Sequence, residues 1–154
     1  MNLSVGIAQA LAASAGSTGK LSMDKAKRLV RAAAYLADQH QRRLNISAPS
    51  VKRKGKTKYI KGPPVKGRYP FKRTGMLQAA ISLETGNLQK IMQDAKVRVG
   101  IRSNAFYGAV LEVRYGAKGL KDTLNDLLPQ IEAQAGVGLQ YSLVDTFLPP
   151  LGTP

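Results

Sequence analysis

The chain has 154 residues, a formal net charge of +15 and no cysteine. Its length favours a single domain, 1–154, that buries about two-thirds of the surface of the unfolded chain around one core. The lack of cysteine excludes disulfide scaffolds, thiolate zinc sites and thiol nucleophiles. No stretch approaches the roughly 18 uninterrupted apolar residues of a membrane span, so we expect a soluble protein without a membrane partner.

The positive charge is concentrated in the middle of the chain. Residues 39–83 contain twelve cations and no acid, whereas residues 84–154 contain seven of each. The twelve are Arg42, Arg43, Lys52, Arg53, Lys54, Lys56, Lys58, Lys61, Lys66, Arg68, Lys72 and Arg73. Such a local excess is costly in self-repulsion, and it therefore favours contact with an anionic partner.

The first 21 residues are expected to form a peripheral N-terminal arm. A short helix is predicted within 1–15, with one apolar stripe made of Leu3, Ile7, Ala10 and Leu11. The next stretch, 14–21, approaches a phosphate-binding loop but lacks its first glycine and the Ser or Thr after its lysine. A linker is therefore the preferred interpretation of that stretch.

A long amphipathic helix is predicted over 22–44. Ser22 is a suitable N-cap, and Asp24 lies where a carboxylate complements the helix dipole. The apolar stripe consists of Ala26, Leu29, Val30, Ala33, Leu36, Ala37, His40 and Leu44. His40, the only histidine, has no second histidine and no carboxylate cluster beside it, so a packed neutral side chain is preferred to a metal ligand or a catalytic base.

Residues 45–73 are predicted to form an extended basic arm or loop, because four prolines and three glycines there disfavour a helix or a central strand. The candidates for contact with nucleic acid or a protein partner are Lys52, Arg53, Lys54, Lys56, Lys58, Lys61, Lys66, Arg68, Lys72 and Arg73. The interleaved rings of Tyr59, Tyr69 and Phe71 are candidates for a subunit interface, since rings among cations can stack or insert against a partner. A solvated loop, or a segment that becomes ordered only against a neighbouring subunit, is the alternative.

An α+β core is predicted over 74–144. Thr74 is a suitable N-cap for a short helix. The apolar face of that helix consists of Met76, Leu77, Ala80 and Ile81. A strand is expected to begin at 81–83, and the connection over 86–94 has no assigned form.

The second half of this core begins with a strand over 95–102. Its apolar positions alternate with polar or small ones and are Val97, Val99 and Ile101. A second amphipathic helix is predicted over 119–135, ended by Gly136 and kinked or split by Pro129. Its apolar positions are Leu120, Leu124, Leu127, Leu128, Ile131 and Ala135. A last strand contains Leu139, Tyr141 and Leu143, and 145–154 is interpreted as a docking tail.

These elements predict an α+β fold. A long N-terminal amphipathic helix and a C-terminal helix pack on a small, mostly antiparallel sheet, and the basic Pro/Gly arm extends from it.

Three short motifs stand out over residues 69–112 of the chain. They are the Tyr69-Pro70 pair after the basic segment, the Arg73-Thr74-Gly75 run followed by Leu77 and Ile81, and the aromatic-Gly-Ala-x-Leu-Glu element that ends at Glu112. Together they resemble the tail-completion (neck) family of tailed bacteriophages, which joins the head to the tail. The chain departs from the family pattern at Ala117, where a Thr is expected after the glycine. Glu112 is a single carboxylate and is interpreted as an ion-pair residue at a subunit interface rather than a general acid.

The resemblance implies a structural virion protein that is assembled in the host cytoplasm and located in the neck or tail. It implies a six-fold homo-oligomeric ring between the head connector and the tail terminator or tail tube, with double-stranded DNA passing through the opening. The alternative is a basic, architectural nucleic-acid-binding protein, which the charge supports equally well. An enzyme is not expected, and neither is a cofactor or a metal, because the sequence offers no complete constellation for catalysis.

Overall fold

The computed structural model describes residues 4–9, 22–45, 50–59, 66–70, 76–84, 87–102, 105, 110, 114–136, 138–144 and 148. The strands are β1 Ser4–Gln9, β2 Ser50–Arg53, β3 Lys56–Tyr59, β4 Ile81–Leu83, β5 Val97–Ile101 and β6 Leu139–Val144. The helices are α1 Met23–Leu44, α2 Met76–Ala79, α3 Leu88–Asp94 and α4 Leu120–Ala135.

A four-stranded antiparallel sheet and the two long helices make up the body of the protein. The strand order is β4-β5-β1-β6, and every neighbouring pair is antiparallel. Helix α1 packs against α4 and against strands β5, β4 and β1. The predicted α+β class is therefore confirmed, with both long helices and the small antiparallel sheet present.

The prediction of a peripheral N-terminal helix is wrong for residues 4–9. These residues form β1, an interior strand of the sheet, and the side chains of Val5 and Ile7 are fully buried. A Cβ at Gly6 would lie 2.8 Å from Ser142 Oγ, so glycine permits the close approach of β6. Val5 and Ile7 alternate with small residues, but the alanine-rich stretch after them favours a helix in the sequence. The pairing of these residues with β5 and β6 makes them a strand. The other residues of 1–15 lie outside the described part of the chain.

Helix α1 follows the prediction closely. The hydroxyl of Ser22 accepts a hydrogen bond from the amide of Lys25 at 3.3 Å, which caps the first turn. The buried residues of the helix are Ala26, Leu29, Ala32, Ala33, Leu36, Ala37, His40 and Leu44. This apolar stripe supplies one side of the core, and the sheet supplies the other.

Helix α4 is continuous through Pro129, so the predicted split does not occur. Proline removes the hydrogen bond to the carbonyl of Asn125. Both Pro129 and Asn125 are exposed, and water can therefore replace the missing donor. Gly136 ends the helix in the left-handed conformation at φ 73°, as predicted.

The elements between the two long helices are shorter than the sequence predicts. Helix α2 has only four residues, and its predicted N-cap, Thr74, lies outside the described residues. The connection over 86–94, for which no structure was predicted, contains helix α3. The side chain of Asn87 caps this helix by accepting from the amide of Gln89 at 3.0 Å. The predicted strands at 81–83 and 95–102 and the last strand are present as β4, β5 and β6.

One residue of the predicted docking tail packs on its own chain. Leu148 is fully buried, and its amide donates to the carbonyl of Ile101 at 2.9 Å. It also forms a parallel bridge with Arg102 at the end of β5. At this position the tail therefore completes the core, and the other residues of 145–154 lie outside the described part of the chain.

Candidate partner interface

The middle of the predicted basic arm is a β-hairpin, which we call the basic hairpin (residues 50–59). Strand β2 pairs with β3 in a sheet of their own. The two turn residues, Lys54 and Gly55, have φ values of 50° and 74°. Two consecutive positive φ values define the type I′ turn that suits the twist of a two-residue hairpin. This part of the arm is therefore a hairpin rather than an irregular loop, and its two strands pair only with each other and not with the four-stranded sheet.

The basic hairpin exposes its cations. The side chains of Lys52, Arg53, Lys54 and Lys56 are all exposed, as is that of Thr57. Apart from its two chain neighbours, no described residue has an atom within 4 Å of a Cβ placed at Gly55. None of the ion pairs between described residues includes one of these four cations.

The register of the hairpin places like charges opposite each other. Arg53 lies directly across from Lys56, and Lys52 lies across from Thr57. Like charges that face each other across an antiparallel pair destabilise it by a few tenths of a kcal/mol up to about 1 kcal/mol. Lys54 adds the cost of a non-glycine residue at positive φ. The hairpin is therefore not optimised for its own stability, and an anionic partner would relieve the repulsion.

The C-terminal end of the basic arm is fastened to the body. The amide of Gly67 donates to the carbonyl of Gly116, and the amide of Lys118 donates to the carbonyl of Arg68, both at 2.9 Å. Lys66 and Arg68 are exposed beside these bonds. Residues 66–70 thus run along 116–118 as a short extended pair, which attaches the C-terminal end of the arm, here called its root, to the body.

Tyr69 completes this attachment through a group of polar side chains between α1 and α4, which we call the Tyr69 cluster (His40, Arg43, Tyr69, Lys118, Thr123 and Asp126). The hydroxyl of Tyr69 accepts from Arg43 Nη1 at 2.9 Å and lies 2.9 Å from Thr123 Oγ1. Arg43 Nη1 also donates to Asp126 Oδ2 at 2.7 Å. The ammonium group of Lys118 lies 5.8 Å from the centroid of the Tyr69 ring, within cation–π range.

His40 lies at the buried end of the cluster. Its Nδ1 is 2.8 Å from Thr123 Oγ1, and its ring meets Tyr69 edge-on at 6.1 Å. Burial, and to a smaller extent the nearby charge of Arg43, lower the pKa of His40 from 6.5 to about 3. The imidazole is therefore neutral at physiological pH.

The hydroxyl proton of Tyr69 sets the direction of the hydrogen bonds in the cluster, because Thr123 Oγ1 is its acceptor among the described residues and Nδ1 of the neutral imidazole then accepts from Thr123. Arg43 donates to Tyr69, Tyr69 donates to Thr123, and Thr123 donates to Nδ1 of His40. In this arrangement each hydroxyl both accepts and donates. These bonds hold Tyr69, at the C-terminal end of the basic arm, against both long helices.

The predicted contact residues fall into three groups. Lys52, Arg53, Lys54 and Lys56 come together on the basic hairpin, while Lys66 and Arg68 lie exposed at the root of the arm. The backbones of Lys58 and Tyr59 belong to β3. Tyr69, predicted at a subunit interface, is half-buried with its hydroxyl bonded inside its own chain. The remaining candidates, Lys61, Phe71, Lys72, Arg73 and Glu112, lie outside the described residues.

Sequence reasoning missed the partners that fix the arm. Arg43 and Asp126 are 83 positions apart, as are His40 and Thr123, and no local spacing relates them. The basic hairpin did carry a signal, because a Lys-Gly pair between two basic runs has the glycine that a type I′ turn favours.

The described residues contain no group of three or more His, Cys, Asp or Glu side chains that could hold a metal ion. Among the described helices, none is both long and apolar enough to cross a membrane. Comparison of the chain with family models, with curated proteins and with solved structures found no match.

Proposed function

We propose that the protein is a structural component of the neck of a tailed bacteriophage. In this proposal copies of the chain form a ring that completes the tail and joins it to the head connector, and double-stranded DNA passes through the ring. The motifs around Tyr69, Thr74 and Glu112 support the proposal by resemblance to the tail-completion family. The observation that carries it is the basic hairpin, whose exposed cations form no ion pair with another described residue, while residues 66–70 of the same arm are hydrogen-bonded to 116–118.

The geometry suits a protein that joins two larger assemblies. The body has a continuous core beneath α1 and α4, so it can keep its shape while it is held in a ring. The hairpin exposes four cations, and ordering a preformed hairpin costs less entropy than ordering a free loop. The bonds at Gly67 and Lys118 would transmit a pull on the arm to the core.

Deletion of residues 50–59 tests this function in a phage that encodes the protein. The purified variant should keep its cooperative unfolding and the helical part of its circular dichroism spectrum, because none of the described core residues lies in 50–59. Assembly should stop with separate full heads and free tails, which electron microscopy would show. Normal virions assembled from the deletion variant would contradict the proposal.

Non-specific binding of duplex DNA is the second candidate function, and the four exposed hairpin cations favour it. Contacts with phosphate release counterions, so the affinity should fall with salt at a log–log slope of about −0.9 per neutralised phosphate. Changing Lys52, Arg53, Lys54 and Lys56 to Gln should reduce the affinity and make the slope shallower by about 3.6 if each contacts one phosphate.

A control with the same change in charge is available on α1. Lys25, Lys27, Arg28 and Arg31 are also exposed, and their change to Gln removes four charges from a different surface. Binding through the hairpin predicts a small effect of this control and a large effect of the hairpin variant. Equal losses would indicate that only net charge matters. A hairpin variant that keeps its DNA affinity but fails to join heads to tails would assign the cations to a protein interface.

A further inference from the structure

The two edge strands of the four-stranded sheet, β4 and β6, differ in the hydrogen bonding of their outward backbone groups. At the β4 edge, the carbonyl of Ile81 accepts from Gln41 Nε2 at 2.8 Å, and the carbonyl of Leu83 accepts from Arg102 Nη2 at 3.0 Å. These two carbonyls point away from β5, because the hydrogen bonds to β5 are made by the even-numbered residues, as at Ala80 and Glu84. Side-chain donors thus occupy the acceptors that another strand would need at this edge.

The same alternation shows which backbone groups point outward from β6. The bond from the amide of Glu84 to the carbonyl of Arg98 places the even-numbered residues of β5 toward β4. The odd-numbered residues of β5 therefore bond to β1, where Val99 pairs with Val5. The even-numbered residues of β1 then bond to β6, where Gly6 pairs with Ser142, so the even-numbered residues of β6 point toward β1. The amides and carbonyls of Leu139, Tyr141 and Leu143 therefore point away from the sheet.

Most of these outward groups on β6 have no hydrogen-bond partner among the described residues. The amide of Leu139 donates to Glu132 Oε1 at 3.4 Å, which agrees with its outward direction. Within the described ranges no backbone or side-chain group bonds to the outward amides and carbonyls of Tyr141 and Leu143. An open row of this kind is a template for pairing with another strand.

The side chains of β6 also lack the features that usually protect an edge. The strand Leu-Gln-Tyr-Ser-Leu-Val contains no charge and no proline. Tyr141 and Leu143 are 41% and 37% exposed, although both lie on the face of the sheet that carries the core. Because the strand itself carries no charge, two copies of β6 can pair without placing like charges opposite each other within the strands.

We propose that β6 pairs antiparallel with β6 of a second copy of this chain. A head-to-tail contact between β6 and β4 is disfavoured because the β4 carbonyls are occupied, so the contact that remains is self-complementary and closes as a two-fold pair. An axis at Ser142 sets Tyr141 of each copy opposite Leu143 of the other. Each such pair exchanges two backbone hydrogen bonds and adds an aromatic–aliphatic contact. The inference does not depend on the proposed neck function, since a ring closes through a different, head-to-tail contact.

Backbone amide hydrogen exchange of the full chain, measured by NMR at low and high protein concentration, tests the pairing directly. The amides of Tyr141 and Leu143 should exchange at least ~10-fold more slowly at high concentration, because they become hydrogen-bonded only in the pair. The amides of Gln140 and Ser142 bond to β1 and should be protected at both concentrations. Free exchange of Tyr141 and Leu143 at every concentration would overturn the proposal, and so would protection that is independent of concentration.

Variants link this protection to self-association in sedimentation experiments. Leu143→Lys should weaken the dimer about tenfold or more, because it removes the apolar contact with Tyr141 of the other copy and brings two like charges near the two-fold axis. Leu143→Pro removes an amide that makes no bond inside the sheet, and it should abolish the slow exchange at Tyr141. Ala34→Lys, at an exposed position of α1, adds the same charge and should change the dimer constant less than about twofold. A dimer that is unaffected by both Leu143 variants would refute the β6 contact.

Discussion

Lowering the pH from 8 to 5 should destabilise the folded protein by about 2 kcal/mol through His40 alone. Burial lowers the pKa of His40 in the folded state to about 3, whereas in the unfolded chain it is near 6.5. Below pH 6.5 the unfolded chain therefore binds a proton that the folded protein does not. The stability that comes from the neutral imidazole is complete above pH 6.5 and is lost between pH 6.5 and about 3, at roughly 1.4 kcal/mol per pH unit.

The hydrogen bonds of the Tyr69 cluster explain why protonation is not simply accommodated. A protonated His40 must donate from Nδ1 to Thr123, which reverses the direction of the bond to that hydroxyl. Thr123 would then donate to Tyr69, and the hydroxyl proton of Tyr69 would lose its acceptor. The positive charge would also lie near Arg43, which already lowers the pKa of His40.

Thermal unfolding at several pH values between 8 and 5, with wild type and His40→Leu, measures this effect. Because His40 is the only histidine, no other histidine titrates in this range. A loss of about 2 kcal/mol should lower the wild-type melting temperature by about 4–8 °C for a chain of this size. The variant should be less stable at pH 8 and nearly independent of pH. Equal pH dependence in both proteins would refute the assignment of the buried neutral imidazole.

Three further predictions concern the core and the cluster. Leu29→Ala and Val99→Ala should each lower the free energy of unfolding by about 1–5 kcal/mol, measured by urea denaturation, because both side chains are fully buried; unchanged midpoints in both would contradict the core. Ile7→Ala should lower the free energy of unfolding by about 2–5 kcal/mol in the same assay, since β1 is an interior strand; an unchanged free energy would instead support a peripheral arm. Tyr69→Phe should cost about 1–3 kcal/mol by removing the hydroxyl between Arg43 and Thr123, with no effect expected if that hydroxyl is not bonded.

The candidate interface could be predicted only in its composition. The exposed cations of the basic hairpin were visible as a run without acids, because charge needs no tertiary contact to be counted. Their arrangement was not visible, since the opposition of Arg53 and Lys56 depends on the turn at Lys54 and on the register that it sets. The partners of Tyr69 were equally hidden, because Thr123 reaches it only when α1 and α4 pack together.

The sequence by itself determined the elements whose signals are local. Helix α1 has its cap at Ser22 and an apolar stripe with the helical period, helix α4 has its stop at Gly136, and β5 alternates between its two faces. These features depend on hydrogen bonds and side-chain spacing within a few residues, so they survive any choice of topology.

Only the tertiary structure decided what each short segment became. In residues 4–9 only Val5 and Ile7 alternate with small residues, which is too short a pattern to specify a strand, and the segment forms one because β5 and β6 offer backbone partners on both sides. Leu148 is buried for the same kind of reason, since its amide meets the carbonyl of Ile101 at the end of the sheet. A short segment gains too little from local interactions to offset its lost conformational entropy, so distant neighbours select its structure.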